Sequence, residues 1–277
     1  MSTITIETAK CSGCGICSEE CPSSALCLDG KSVVFATPRL CLSCGHCAAV
    51  CPAGAITSSD FSVQPIDERL PLDRLLFHRK RSVRSFKKER VEREKLASLV
   101  EYAEKAPSSH NHRNRSYMIV TGPEEIRRLS TAIAGYYAGL IRLLNPLTLR
   151  LMSLFSKPAF QEMSHLVDSF KHLLAQHREG GDGVFRSSSA IICIAAPAGS
   201  PHSKDDCLAA QHYMMLFGKT VGIDSFVVGY AQAAHKRLEK LLGVDKGLSI
   251  WAVSAFGYGR YRYANEVRYA PPAIAWR

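Results

Sequence analysis

A chain of 277 residues has room for one domain of ordinary size and one small additional module. Hydrophobic residues make up 46% and charged residues 22%, a globular composition, and no apolar run approaches the roughly twenty residues that a membrane span requires. The formal charge of +10 lies largely in the stretch HRKRSVRSFKKER and does not demand a nucleic-acid partner, and the N-terminus lacks a secretory pattern, so we expect a cytoplasmic protein.

The first sixty residues contain an internal repeat built on cysteine. The spacing C-x2-C-x2-C-x3-C-P occurs twice, with an offset of thirty residues. The cysteines of the motif are Cys11, Cys14, Cys17 and Cys21 in the first copy, and Cys41, Cys44, Cys47 and Cys51 in the second. In a reducing compartment such crowding indicates metal ligation rather than disulfides. Three thiolates on one tight loop can bind three irons of a cubane, but the fourth iron needs a ligand from elsewhere.

The repeat resembles a bacterial two-cluster ferredoxin, in which the fourth cysteine of each run binds the other cluster. The resemblance implies one [4Fe–4S] cluster held by Cys11, Cys14, Cys17 and Cys51, and a second held by Cys41, Cys44, Cys47 and Cys21. Zinc is the alternative, but zinc sites usually pair two separated C-x2-C elements. Cys27 fits neither motif, and we expect it to be a buried apolar thiol.

The sequence predicts three parts: a ferredoxin module at residues 1–60, a proline-containing linker at 61–75, and a larger domain at 76–277. In the larger domain, hydrophobic patterns predict helices at 91–106, 206–221 and 235–242, strands at 117–121, 190–196, 224–228 and 248–256, and a mainly helical stretch at 124–176. Mixed helices and strands of this kind indicate an α+β domain. Cys193 lies in a predicted buried strand, and both it and Cys207 are expected to be structural.

The larger domain contains four notable segments: KRSVRSF at residues 80–86, APSSHN at 106–111, and the stretches 209–230 and 256–268. Together they resemble the FMN-binding nitroreductase family. The first is KRSVRSF at residues 80–86, which is similar to the family's R-x-S-x-R-x-F segment. The resemblance implies that Lys80 and Ser82 hold the FMN phosphate and ribityl chain, and that Arg84 lies near the N1/O2 edge of the flavin. A cation there would stabilise the anionic reduced flavin. Taken alone, a basic stretch before a helix is more often a solvated face.

The second segment, APSSHN at residues 106–111, resembles the family's A-P-S-x-x-N turn beside the flavin. Its implied flavin contacts are Ser108, Ser109 and Asn111. Relatives commonly continue with x-Q-P-W, whereas this chain has HRNR at 112–115. The change puts the usual nicotinamide and substrate contacts in doubt, and Arg113 and Arg115 could instead dock an acidic surface or substrate. His110 and His112 are candidate proton donors, although loop histidines near a cofactor are more often positional.

The third segment runs from residue 209 to 230, and the fourth from 256 to 268. The resemblance implies that the backbone N–H around Gly229 meets flavin N5, and a glycine permits that close approach. In the fourth segment Gly259 replaces the family's usual proline. We choose Arg268 as the candidate phosphate partner, because a guanidinium can bind phosphate through two hydrogen bonds.

The resemblance implies a mainly antiparallel sheet flanked by helices, bound FMN, and a homodimer with FMN in the interface. The arm at residues 261–277 looks suited to embracing the partner subunit. We expect an oxidoreductase in which two clusters pass electrons to FMN, which reduces a small organic acceptor such as a nitroaromatic, a quinone or an activated alkene. The expected donor is a one-electron carrier such as ferredoxin. The alternatives are a relay subunit of a larger redox complex, or a dehydrogenase that exports electrons through its clusters.

Overall fold

The computed structural model describes residues 4–67, 69, 71–144 and 157–277, and contacts within it divide the chain into two units. Residues 1–81 and 261–277 form the first unit, and residues 82–260 form the second. This division differs from the predicted one, because the last seventeen residues belong with the cysteine repeat and not with the larger domain. The predicted linker also differs, since residues 61–75 contain a strand and the start of a helix.

The first unit consists of short elements around the cysteine loops. Its strands and helices are β1 (Ile4–Ile6), α1 (Ile16–Glu19), β2 (Cys27–Asp29), β3 (Ser32–Val34), α2 (His46–Val50), β4 (Ile56–Ser58), β5 (Ser62–Pro65), α3 (Leu72–Arg79) and the last strand of the chain, β10 (Asn265–Arg268). The strands pair antiparallel as β1 with β4, β2 with β3, and β5 with β10. The expectation for Cys27 is wrong: all three residues of β2 are exposed, and the neighbouring Leu26 is the buried residue.

The two copies of the repeat share unusual backbone geometry as well as cysteine spacing. Gly15 and Gly45 precede α1 and α2 with φ of 73° and 68°, a left-handed conformation that suits glycine. Positive φ also occurs at two further pairs of positions thirty residues apart: Gly13 and Ser43, and Ser24 and Gly54. The two copies therefore fold into the same loop, which gives their cysteines equivalent surroundings.

The C-terminal segment completes the first unit through β10. Asn265 donates from Nδ2 to the carbonyls of Ala48 at 3.2 Å and Cys51 at 2.8 Å, at the end of the second cysteine run. Val267 is buried and packs so closely on Gly45 that a Cβ there would lie 2.7 Å from its Cγ1. The β10 part of the arm 261–277, which we expected to embrace a partner, packs on its own chain. Residues 270–277 are exposed and irregular.

The second unit contains the elements predicted for the larger domain, with boundaries shifted by a few residues. They are α4 (Arg93–Ala103), β6 (Ser116–Val120), α5 (Pro123–Leu143), α6 (Lys157–Arg178), β7 (Ala190–Pro197), α7 (Ser203–Thr220), β8 (Asp224–Val227), α8 (Gly229–Ala233), α9 (His235–Leu242) and β9 (Leu248–Gly257). The predicted helical stretch at 124–176 corresponds to α5 and α6, and its residues 145–156 lie outside the described part of the chain.

An antiparallel sheet in the order β6-β7-β9-β8 separates two layers of helices. Strand β7 is buried except at Pro197, and its alternate residues face opposite sides of the sheet. Ile191 and Cys193 pack with side chains of α5, α6 and α9, whereas Ile192 and Ile194 pack with those of α4 and α7. The sheet thus has a core on each face, and the α+β expectation is confirmed. Cys193 and Cys207 are fully buried, as expected. No helix in the described residues is long and apolar enough to cross a membrane.

Candidate functional site

Four cysteines from both copies of the repeat surround one small cavity in the first unit. The cavity, of about 20 Å³, is lined by Cys21, Cys41, Cys44 and Cys47. Three of these come from the second copy and Cys21 comes from the first. The arrangement matches the crossed set expected for one cluster, so the residues present fit such a group.

The four cysteines of the other expected set interact electrostatically with one another. Burial, followed by the proximity of Cys51, Cys14 and Cys11, raises the pKa of Cys17 to about 11. Because a metal ligand must be the thiolate, iron has to offset this resistance to ionisation when it binds. In the described residues no three His, Cys, Asp or Glu side chains converge on a position for one metal ion. A cubane does not need such a position, because each of its thiolates binds a different iron.

Hydrogen bonds to sulfur are similar but not identical in the two copies. The backbone N–H of Ala25 donates to Cys21 Sγ at 3.2 Å, and that of Ala55 donates to Cys51 Sγ at 3.4 Å. Only Cys21 also has a hydroxyl nearby, Ser23 Oγ at 3.7 Å, since the matching residue of the second copy is Ala53. Hydrogen bonds to sulfur help to set cluster potentials. Sequence reasoning missed Ser23, although the aligned repeats already show the difference.

In the second unit, the first flavin segment runs along strand β8. The Val83 N–H donates to the Ser225 carbonyl at 3.2 Å. Arg84 donates from Nη1 to the Ser82 carbonyl at 3.1 Å, and its guanidinium lies 5.5 Å from the centre of the Phe226 ring. The cation is therefore positioned by both its own segment and the strand beneath it.

Strand β8 leads directly to Gly229, the first residue of α8. Gly229 is exposed, and a Cβ built on it would meet no described atom within 4 Å. Its φ is not positive, so the backbone conformation alone does not require glycine. The open space beside its backbone fits the close approach of a planar ring.

The second flavin segment is a loop tied to the start of α7. The Ser109 N–H donates to Asp206 Oδ1 at 2.9 Å. Ser108 Oγ accepts from the Arg113 N–H at 3.1 Å, and Asn111 Oδ1 accepts from Arg113 Nε at 3.0 Å. The candidate contacts Ser108, Ser109 and Asn111 are thus held in one hydrogen-bonded loop.

This loop also carries backbone strain. His110, Asn111 and Arg113 have φ of 50°, 54° and 46°, a left-handed conformation that residues other than glycine rarely adopt. Residues in this strained conformation persist only where the surrounding structure holds them in place, and they are found most often at ligand sites. The strain is consistent with a functional role for the loop.

Arg115 is a buried anchor and not a docking residue. Its side chain has no exposed area, and it donates to Glu104 Oε1 at 3.1 Å, to the Ala106 carbonyl at 3.1 Å and to the Asp206 carbonyl at 3.2 Å. The expectation that Arg115 docks an acidic surface is therefore wrong, because these groups inside the fold already neutralise and bond it. Arg113 is exposed and keeps that role as a proposal.

Two predicted flavin residues, Lys80 and Arg268, belong to the first unit, and the other six belong to the second. Lys80 follows α3, and its Nζ lies 3.4 Å from the Arg81 carbonyl. Arg268 donates from Nε to Glu266 Oε2 at 3.0 Å, and His78 Nδ1 lies 2.6 Å from the other oxygen of Glu266. Sequence reasoning missed Glu266, which already pairs with Arg268.

Comparison with protein families identifies both parts of the chain. Residues 78–258 match the model of the nitroreductase family, and residues 5–55 match the model of a 4Fe-4S dicluster domain. Comparison of the sequence with curated proteins gives no significant match.

Solved nitroreductases are similar in fold. One from Bacteroides fragilis with bound FMN has a TM-score of 0.52 and 16% identity, over 69% of this chain and 89% of that one. One from Desulfitobacterium hafniense with bound FMN has a TM-score of 0.51 and 19% identity, over 72% and 92%. An FMN-dependent nitroreductase from Mycobacterium smegmatis in complex with NADPH has a TM-score of 0.50 and 18% identity, over 68% and 87%. At these identities the likeness shows a shared fold.

Proposed function

Because this chain belongs to the nitroreductase family and carries a 4Fe-4S dicluster domain, we propose that it is an iron–sulfur flavoprotein oxidoreductase in which two clusters supply electrons to FMN. The observation that carries the proposal is the cavity lined by Cys21 together with Cys41, Cys44 and Cys47. A module with two crossed ligand sets stores and passes single electrons. FMN, when bound, accepts electrons singly and delivers them in pairs.

We propose the flavin contacts that the family resemblance implies. The proposed set is Lys80, Ser82, Arg84, Ser108, Ser109, Asn111, Gly229 and Arg268. Arg84 is proposed to hold positive charge at the ring edge, which its contact with Phe226 supports. Gly229 would offer its N–H across open space. Arg268 would contact phosphate only by exchanging its ion pair with Glu266.

The proposed donor is a one-electron carrier such as ferredoxin, and the proposed acceptor is a small nitroaromatic, quinone or activated alkene. A family member that takes hydride from NAD(P)H needs no cluster, so the fused module favours single-electron supply. The HRNR sequence at 112–115 supports this choice, and exposed Arg113 would face an acidic carrier.

Direct reduction by NADPH is the second candidate, favoured by the Mycobacterium smegmatis relative solved with that nucleotide. In that case the clusters would carry electrons away from the flavin, as in the dehydrogenase alternative.

We also propose that the protein is a homodimer. Ile274 and Trp276, which are 66% and 90% exposed, offer apolar surface to a second copy. Sedimentation of the full chain beside a chain ending at residue 269 would test the contribution of this tail. A monomeric full chain would exclude the homodimer.

The test is anaerobic purification followed by stopped-flow bleaching of the flavin. We expect about eight irons and eight sulfides per chain with one FMN, and faster reduction by reduced ferredoxin or a viologen than by NADH or NADPH. A double variant, Cys14→Ala with Cys44→Ala, should lose the ferredoxin route and keep FMN. Cys27→Ala is the matched control, because Cys27 is exposed and outside the motif.

The full chain is used because a truncation near residue 70 would remove β5, the partner strand of β10. Zinc in place of iron would reject the cluster assignment. If NAD(P)H reduced the parent and the double variant equally fast, and faster than ferredoxin did, the clusters would be an electron exit.

A further inference from the structure

The second unit contains a cavity that none of its six proposed flavin residues lines. Its volume is about 570 Å³, within the range of small-molecule sites in proteins. It lies where the segment after residue 86, the start of α5, the end of α6 and the loop before β7 come together.

The cavity is rich in positive charge. Lys87, Lys88, Arg90 and Arg127 line it, and none of the four forms an ion pair with any described residue. Four cations around one concave surface raise the local potential and attract anions. Arg90 and Arg127 can also present two parallel donors to an oxyanion.

The single carboxylate among the described lining residues does not neutralise these cations, because it is occupied in holding the loop. Asp182 accepts from Ser130 Oγ at 2.7 Å, from the Phe185 N–H at 2.9 Å and from the Ser187 N–H at 3.1 Å. The positive charge of the cavity is therefore left for a ligand.

Two buried polar atoms at the cavity have no partner among the described residues: Ser188 Oγ and His177 Nδ1. Ser188 is only 5% exposed. His177 is fixed at the end of α6, where Gly180 and Gly181 donate to the His177 and Gln176 carbonyls and close the helix. Buried polar atoms are nearly always hydrogen-bonded, so these two point to a polar ligand.

We propose that this cavity binds a small phosphorylated anion, up to the size of a nucleotide, separately from FMN. The cations would contact the phosphate oxygens, and Ser188 and His177 would bond to the buried end of the ligand. Phosphate is favoured over a single carboxylate because four unpaired cations match a multiply charged group. The proposal does not depend on the electron route, and it would stand if the donor were NADPH.

The test is calorimetric titration of the full-length protein, loaded with clusters and FMN, with inorganic pyrophosphate, ADP and citrate. Arg127→Gln and Lys88→Gln should each weaken pyrophosphate binding about tenfold or more, the range for a lost charge-assisted contact. Ser188→Ala should weaken it less. Arg237→Gln and Lys240→Gln are the controls: both residues are exposed on α9, outside the cavity, and neither substitution should change binding more than about twofold.

Absence of binding for both pyrophosphate and ADP would overturn the proposal. Equal weakening by the α9 controls would also overturn it, because the effect would then come from net charge. Tighter binding of citrate than of pyrophosphate would reject phosphate as the ligand class. If Arg127→Gln released FMN, the cavity would be the flavin site and not a second one.

Discussion

Replacing Arg115 by glutamine is expected to destabilise the second unit by about 3 kcal/mol. The guanidinium is wholly buried and bonds to Glu104 and to the carbonyls of Ala106 and Asp206. Removing one partner of a buried ion pair costs about 3 to 5 kcal/mol, because the other charge remains unpaired. The lower end applies here, since the Glu104 side chain is 33% exposed and keeps its hydrogen bond from Tyr117 Oη.

Urea unfolding followed by fluorescence measures this loss. Trp251 lies in β9 and donates to the Ala196 carbonyl, so in a Trp276→Phe background it reports on the second unit alone. With an m-value of about 2 kcal/mol/M, the midpoint should fall by about 1.5 M.

Arg113→Gln is the matched control, because Arg113 is exposed and bonds only within its own loop. It should change stability by less than about 0.5 kcal/mol. If the Arg115→Gln protein were as stable as the parent but its FMN were reduced more slowly by ferredoxin, Arg115 would be a docking residue and not a structural anchor.

Four further substitutions test the cluster ligands and the fold. Cys21→Ala should destroy the cluster of the second repeat copy; loss of the other EPR signal would instead indicate local ligation. Ser23→Ala should lower the reduction potential of that same cluster by roughly 20 to 60 mV, which corresponds to the loss of one hydrogen bond. Ala53→Ser should raise the reduction potential of the other cluster. Redox titrations that showed no change in either potential would contradict this. Burial raises the pKa of Glu239, but hydrogen bonds led by that from Ser249 outweigh it and lower the pKa from 4.5 to about 2. Its ionised form therefore stabilises the fold above pH 4.5, this stability is lost as pH falls toward 2, and Glu239→Gln should flatten that acid limb in unfolding experiments.

The sequence predicted the second unit well because its signals are local. Strand β7 is a continuous apolar run, and such a run indicates a strand buried on both faces. Helix α9 was predicted with its observed bounds, and the structure ends it at Gly243, whose φ of 64° is typical of a glycine that closes a helix. The repeated spacing pointed to the cysteines of the cavity, whereas their crossed assignment to two clusters came from the ferredoxin resemblance and stays a prediction.

What the sequence could not provide depends on contacts between distant residues. Strand β10 pairs with β5 about two hundred positions earlier, and neither strand is longer than four residues. Arg115 looks like any surface arginine until Glu104 and Asp206 are placed around it. Cys27 was misjudged because its thiol suggested burial, whereas the strand that carries it faces solvent.

The pairing of β5 with β10 also explains how a unit built from both ends of the chain can form. Joining these strands closes a loop of about two hundred residues, and an unfolded loop of that length carries an entropy cost that grows with its length. Folding of the second unit removes most of this cost, because it holds its own two ends side by side: the Lys87 N–H donates to the Tyr258 carbonyl at 2.8 Å, and the Arg260 N–H donates to the Ser85 carbonyl at 2.9 Å. The first unit can therefore gain its last strand, and with it the Asn265 bonds to the second cysteine run, at a lower entropic cost once the second unit has folded.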